Sequence, residues 1–205
     1  MTTAEIIDRA TAWANAAVCP QIKLKVPPED HADPSDHDYD PLYASPVAFP
    51  MFVPTKDKLP PPVQSSFPSI CVRLLDGEDD MAQDMGRANI QLCFSAWNPG
   101  THGSDVLMPN GDDLEPWTGP AANAEFQRNA DGWRDVWNMV DIARRAVESV
   151  TNIEGMVLDR TIPIKYGPLT EQEAIPDFYP FWFAWMTFSL TYPVIRHIRD
   201  CDNLL

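Results

Sequence analysis

Phe178-Tyr179-Pro180-Phe181-Trp182-Phe183-Ala184-Trp185-Met186-Thr187-Phe188-Ser189-Leu190-Thr191-Tyr192-Pro193-Val194-Ile195 is the most apolar and aromatic stretch of the chain, and the fold follows from how it is read. From Trp182 the even positions Ala184, Met186, Phe188, Leu190 and Tyr192 are mostly apolar, while the odd positions soften from Phe183 and Trp185 to Thr187, Ser189 and Thr191. A period of two is the signature of a strand with one buried face. The first half is apolar on both faces, so that end needs two covers: a helix, a loop or another subunit. A membrane span is excluded, because Phe181 to Tyr192 is too short to cross a bilayer as a helix and prolines bracket it at Pro180 and Pro193.

Outward from that strand, 205 residues suit one domain with long decorations, and 44% hydrophobic residues suffice for a core. The 21 prolines, about twice the usual share, gather in two regions, Pro20 to Pro68 and Pro99 to Pro120. These are read as loops. The stretch 27–62 forms an arm, acidic from Pro27 to Pro46 and ending in a stiff polyproline piece at Pro60-Pro61-Pro62, and 98–126 forms an insertion. A formal charge of −15 excludes tight nucleic-acid binding, which depends on Lys and Arg neutralising phosphates. The N-terminus has neither a basic segment nor an apolar one of the kind a signal peptide needs, so synthesis inside the cell is expected.

Thr2 and Glu5 have capping-box spacing, and Ile6, Ala10, Trp13, Ala14 and Ala17 follow on one helical face until Pro20. Gln21 to Val26 alternates as a short strand, and Val47 to Val53 is a further strand or an extended docking segment. Ser69 to Leu75 and Gly86 to Trp97 each have one apolar face and form an antiparallel hairpin, linked through an acidic turn that opens at Asp76-Gly77-Glu78-Asp79-Asp80. Asn129 to Val150 has the strongest helical period, with Asn129 or Asp131 as cap and Trp133, Val136, Trp137, Val140, Ala143, Arg144 and Val147 on its stripe. Trp137 is expected in the core, and both tryptophans against the aromatic half of the last strand. Met156 to Tyr166 reads as one more strand. The fold class expected is α+β, a mostly antiparallel or mixed sheet with an N-terminal helix and a long amphipathic helix packed on it, in a single domain spanning 1–205.

Residues that could carry chemistry do not converge in the sequence. Asp33, Asp36, Asp38 and Asp40 invite a calcium reading, but Pro41 stands where a calcium loop needs its glycine, and the plain alternative is a solvated acidic loop. Asp76, Glu78, Asp79 and Asp80 read as a wet turn, with a carboxylate-based hydrolase as the enzymatic alternative. His31, His37, His102 and His197 are scattered, and Gly100-Thr101-His102-Gly103 leads into no helix and so is no phosphate loop. Cys19, Cys71, Cys93 and Cys201 show no zinc spacing, and Cys71 and Cys93 read as buried free thiols. No catalytic, cofactor-binding or metal residue is expected.

Pro68-Ser69-Ile70-Cys71-Val72-Arg73-Leu74-Leu75-Asp76-Gly77-Glu78-Asp79, followed by a strand, the helix Trp133 to Val150 and two final strands, resembles the tail terminator proteins of tailed bacteriophages and phage-tail-like particles. The resemblance covers roughly Pro68 to Arg196. It implies an α/β structural virion protein, not an enzyme, six copies of which close a ring on the head-proximal end of the tail tube, stop its growth and face the neck. The implied partners are the chain itself, the tail tube protein, a neck or head-completion protein and, in contractile tails, the sheath; DNA passes without specific binding and no membrane is involved. The family offers no functional residue to carry over. The chain departs from its smaller members by the Pro27 to Pro46 arm and the Asn98 to Phe126 insertion, which keeps another neck, connector or tail-completion subunit as the alternative.

Overall fold

The computed structural model of the protein describes residues 1–27, 42–98, 107–110, 113–116, 131–171, 175–176, 178 and 180–194. Helix α1 (Thr3–Trp13) starts at the expected capping box: the Glu5 N–H donates to Thr2 Oγ1 at 3.3 Å and the Thr2 N–H to Glu5 Oε2 at 2.7 Å. Beyond Trp13 the chain winds into a π-helical turn, Ala14–Val18, and then a tight 3₁₀ turn, Cys19–Gln21. The wider turn rotates the buried face by one residue, so Val18, not Ala17, follows Ala14 into the core.

Strand β1 (Leu24–Lys25) pairs antiparallel with β2 (Tyr43–Ala44), and β3 (Val47–Pro50) joins the main sheet parallel to β4 (Ser69–Asp80). Part of the 27–62 arm is thus built into sheet, while its residues 28–41 lie outside the described residues. Pro60-Pro61-Pro62 makes a turn instead of a polyproline helix, with a cis Pro61–Pro62 bond and the Val63 N–H donating to Pro60 O at 2.9 Å. β4 and β5 (Met85–Trp97) form the long hairpin of the sheet, and β11 (Phe181–Pro193) pairs with β5 along its whole length. On the far side of β11 lie β9 (Met156–Leu158), extended by β8 (Asn152–Ile153), and separately β10 (Lys165–Pro168). The expected single strand from Met156 to Tyr166 is therefore two, because the chain bends through Asp159 to Pro163, where Asp159 Oδ1 accepts from both the N–H and the hydroxyl of Thr161. Within the insertion, β6 (Leu107–Asn110) pairs with β7 (Asp113–Pro116), a hairpin that the sequence reading missed. Prolines at 109 and 116 hid it, yet both strands of a two-stranded sheet are edges, where proline is tolerated.

The acidic run is not a turn. β4 continues through Asp80 past a bulge between Leu74 and Asp76, and the reversal falls at Met81–Asp84. Each carboxylate has its own partner: Asn89 Nδ2 donates to Asp76 Oδ1 at 2.5 Å, Arg87 Nη1 to Glu78 Oε1 at 2.6 Å and Tyr192 Oη to Asp79 Oδ1 at 2.9 Å, while Asp80 Oδ1 accepts from the Ala82 and Gln83 N–H groups. Cross-strand pairing thus stabilises a stretch whose composition disfavours a strand.

Helix α2 (Arg134–Ser149) lies with α1 on one face of the sheet, so that the molecule is a two-layer α+β fold. Its buried line is Val136, Met139, Val140, Ala143, Ala146 and Val147, and this meets the even positions of β11 and β5. Trp137 lies at the border of that line, half-buried, and Trp133 is 41% exposed with the Arg134 guanidinium 5.0 Å above its ring. Neither is the core anchor expected, because the stripe is centred on Val136 and Ala143 and extends to Met139 and Ala146, on the side away from the tryptophans. Among the described residues no side chain caps the start of α2, which is preceded by a 3₁₀ turn at Asp131–Trp133, while Arg160 Nη2 closes its end by donating to the Glu148 and Val150 carbonyls at 3.2 Å. Among the described residues no helix is long and apolar enough to cross a membrane.

Two carboxylates near the sheet respond to acid in opposite senses. The Asp159 side chain is 8% exposed, and its hydrogen bonds from Thr161, helped by the Arg87 guanidinium 3.1 Å away, hold its carboxyl below the usual range. That stabilisation is present above an unfolded value of 3.8 and is lost as the pH falls through the lower folded value. Asp159→Asn should therefore lose about 1.5 kcal/mol at neutral pH. Urea titrations of both proteins should show that gap closing as the pH drops below 3.8; a gap independent of pH would assign the loss to packing. Asp135 is pushed the other way by burial, against the Asn98 amide that donates to it at 2.7 Å, so its contribution is present below 3.8 and is lost as the pH rises through its folded value.

Candidate interaction surface

The odd positions of β4, β5 and β11 point away from the helices and form the floor of a groove of about 710 Å³. It is lined by Phe67 together with Cys71, Arg73, Cys93, Phe183 and Trp185 of those strands. The loop Met51–Thr55 closes one side and Leu169 and Thr170 the other. Loop aromatics provide the second cover that the doubly apolar half of β11 requires: the Phe67 ring lies 4.7 Å from Phe181 and 6.4 Å from Phe183, and Phe178 meets Phe183 edge-on at 5.6 Å. Trp185 lies across β10, its Nε1–H donating to Pro168 O at 2.9 Å. Gly167 permits this, since a Cβ there would stand 3.1 Å from the indole.

The floor is polar where the rim is not. Ser69 and Ser95 face each other across the hairpin with their hydroxyl oxygens 2.6 Å apart, both buried. Cys71 and Cys93, expected as buried free thiols, are free but only half-buried, at odd positions that line the groove. Burial still raises both thiols, Cys71 to about 11, and Cys19, in the core behind β3, to about 12. Exposed apolar side chains flank the groove, Met51 and Phe52 on the side of the Met51–Thr55 loop and Leu169, Ile175 and Phe178 beside Phe183, with Phe52 69% and Ile175 70% exposed, and the exposed Arg73 stands among them. Such a rim marks an interaction surface more readily than a small-molecule pocket.

A second hollow of about 360 Å³ continues along the same face toward Lys165. There Ser189 Oγ donates to Asn89 Oδ1 and Asn89 Nδ2 to Asp76 Oδ1, a relay of hydroxyl, amide and carboxylate. An amide has no basic nitrogen to accept a proton, so this relay fixes geometry and does not activate the serine.

Protein-family models and curated proteins give no match to this chain. Among the described residues no group of three or more His, Cys, Asp or Glu side chains is placed to hold a metal ion. Asp33, Asp36, Asp38, Asp40, all four histidines, Cys201 and the run 100–103 lie outside the described residues. Asp76, Glu78, Asp79 and Asp80 are spread along β4. Sequence reasoning missed the groove. Its one available signal was the chemistry of the odd positions, in which Ser, Cys, Arg and Gln on β4 and β5 sit beside Phe and Trp on β11.

Proposed function

We propose that the chain is a structural subunit of a phage-type tail, copies of which close a ring on the head-proximal end of the tail tube, end its growth and join it to the neck. The observation that carries this reading is the block Pro68 to Asp79 and the order after it: a proline-led strand, a long acidic hairpin, an amphipathic helix and the final strands. The apolar rim around the groove supports it, because a ring subunit must cover such surfaces with its neighbours. So does the charge of −15, since an acidic lining gives passing DNA no counterion-release gain and lets it slide. In this reading the chain is a virion protein with no catalytic role. Its partners are further copies of itself, in a six-fold ring, the tube protein and a neck protein.

Removal of the gene should leave tubes that are assembled but overgrown and unjoined to capsids, as imaged by electron microscopy. Tails of normal length still joined to heads would overturn the proposal. Normal-length tails lacking only their heads would move the protein to the neck.

A further inference from the structure

Two thiols oppose one another in the groove wall. Cys71 on β4 and Cys93 on β5 are register partners, both half-buried, with Arg73 and Gln91 as the next pair on the same face toward the hairpin turn. Their backbone relation follows from a neighbour. The Met51 N–H donates to Val72 O at 2.8 Å, so the backbone groups of Val72 point toward β3 and, by alternation, those of Cys71 point toward β5. Cys71 and Cys93 are thus a hydrogen-bonded pair, a class with Cα atoms about 5.5 Å apart, inside the range of roughly 4.4–6.8 Å that a disulfide spans. Arg73, on the same face of β4, favours the anion of both thiols against burial, and of Cys93 more than of Cys71, while the Cys93 thiol donates to Gln91 Oε1 at 3.4 Å.

We propose that Cys71 and Cys93 are a thiol-modification site that exchanges with small-molecule disulfides of the glutathione class and closes an intramolecular cross-strand disulfide in the groove wall. The Cys93 thiolate attacks one sulfur of oxidised glutathione, forming a mixed disulfide and expelling one glutathione thiolate. The Cys71 thiolate then attacks the Cys93 sulfur, forming the Cys71–Cys93 bond and expelling the second glutathione. The protein loses two electrons and two protons, and one oxidised glutathione becomes two reduced ones. Closure draws Cβ atoms that lie about 5 Å apart in such a pair to about 4 Å, so the bond is readily reducible and the site can cycle. The exchange needs the groove open, so it belongs to the free subunit, before any neighbour covers the rim.

The test treats the full native chain with oxidised glutathione, then denatures it, alkylates it and maps its peptides by mass. The expected product is a Cys71–Cys93 cross-linked peptide lighter by two hydrogens, with the chain still single on a non-reducing gel. Cys71→Ser should instead trap a single glutathione on Cys93, because the resolving thiol is gone. The same treatment in concentrated urea should lose the preference for this pair. Recovery of both cysteines alkylated under conditions that modify Cys201, or glutathione on each without a cross-link, would overturn the proposal.

Discussion

Phe188→Ala should destabilise the protein by about 3–5 kcal/mol, the range for removing a fully buried aromatic side chain. Phe188 is 2% exposed, in the middle of the strand that binds β5 on one side and β9 and β10 on the other. Its ring meets Trp13 of α1 edge-on, with centroids 6.0 Å apart, so the truncation empties the junction between the sheet and the N-terminal helix. Equilibrium urea unfolding gives the value directly. A lowered midpoint at unchanged slope is expected, whereas a loss below 1 kcal/mol would mean that Phe188 does not anchor the layer.

Gly86→Val is expected to cost about 3 kcal/mol through overpacking. Gly86, the second residue of β5, lies directly opposite Tyr192 of β11, and a Cβ there would stand 2.4 Å from the tyrosine ring and 2.6 Å from Asp79 Oδ1. The ring cannot simply swing away. It is nearly buried, and its hydroxyl donates to Asp79 at 2.9 Å, a contact that together with burial lifts the phenol to about 12. Displacing it would unpair the Asp79 carboxylate and loosen the tip of the long hairpin. The signature would be spectroscopic as well as thermodynamic: the tyrosine should titrate nearer its ordinary value of 10 in the variant. An unshifted phenol in a stable variant would show that the ring has room that the packing denies it.

Both sites show what could be read in advance and what could not. The even positions of Phe181–Pro193 gave away the central strand and its buried face because apolar side chains carried the signal along the run, and every even position from Ala184 to Tyr192 is buried, with Ser189 the one odd position buried among them. The capping box at Thr2 was legible for the same reason: its two interactions are local. The groove was not, since its walls come from three strands and two loops whose register depends on where the hairpin reverses. Reading Asp76 to Asp80 as a turn moved that reversal several residues too early and would have put other residues opposite Cys71. The stabilising partners of the acidic strand, Arg87, Asn89 and Tyr192, lie across the sheet, where no local pattern reveals them. Trp133 and Trp137 misled for a different reason. A helical stripe wide enough for two tryptophans still has a centre and a border, and α2 places small and aliphatic residues at the centre.

One side chain of the N-terminal segment decides how this sheet can meet others. Asn15, in the π-helical turn, donates to the Ala48 carbonyl at 2.9 Å and accepts from the Ala48 N–H at the same distance, occupying the outward hydrogen-bonding groups of β3. Among the described strands none lies beyond β10 at the opposite border. A ribbon that can be lengthened at one margin and is sealed at the other cannot polymerise head to tail through its backbone. Strand pairing between main sheets therefore stops at a two-fold pair, so the main sheet cannot be stacked edge to edge into an open-ended fibre. Larger closed assemblies must instead be built from side-chain surfaces, whose geometry fixes the number of copies.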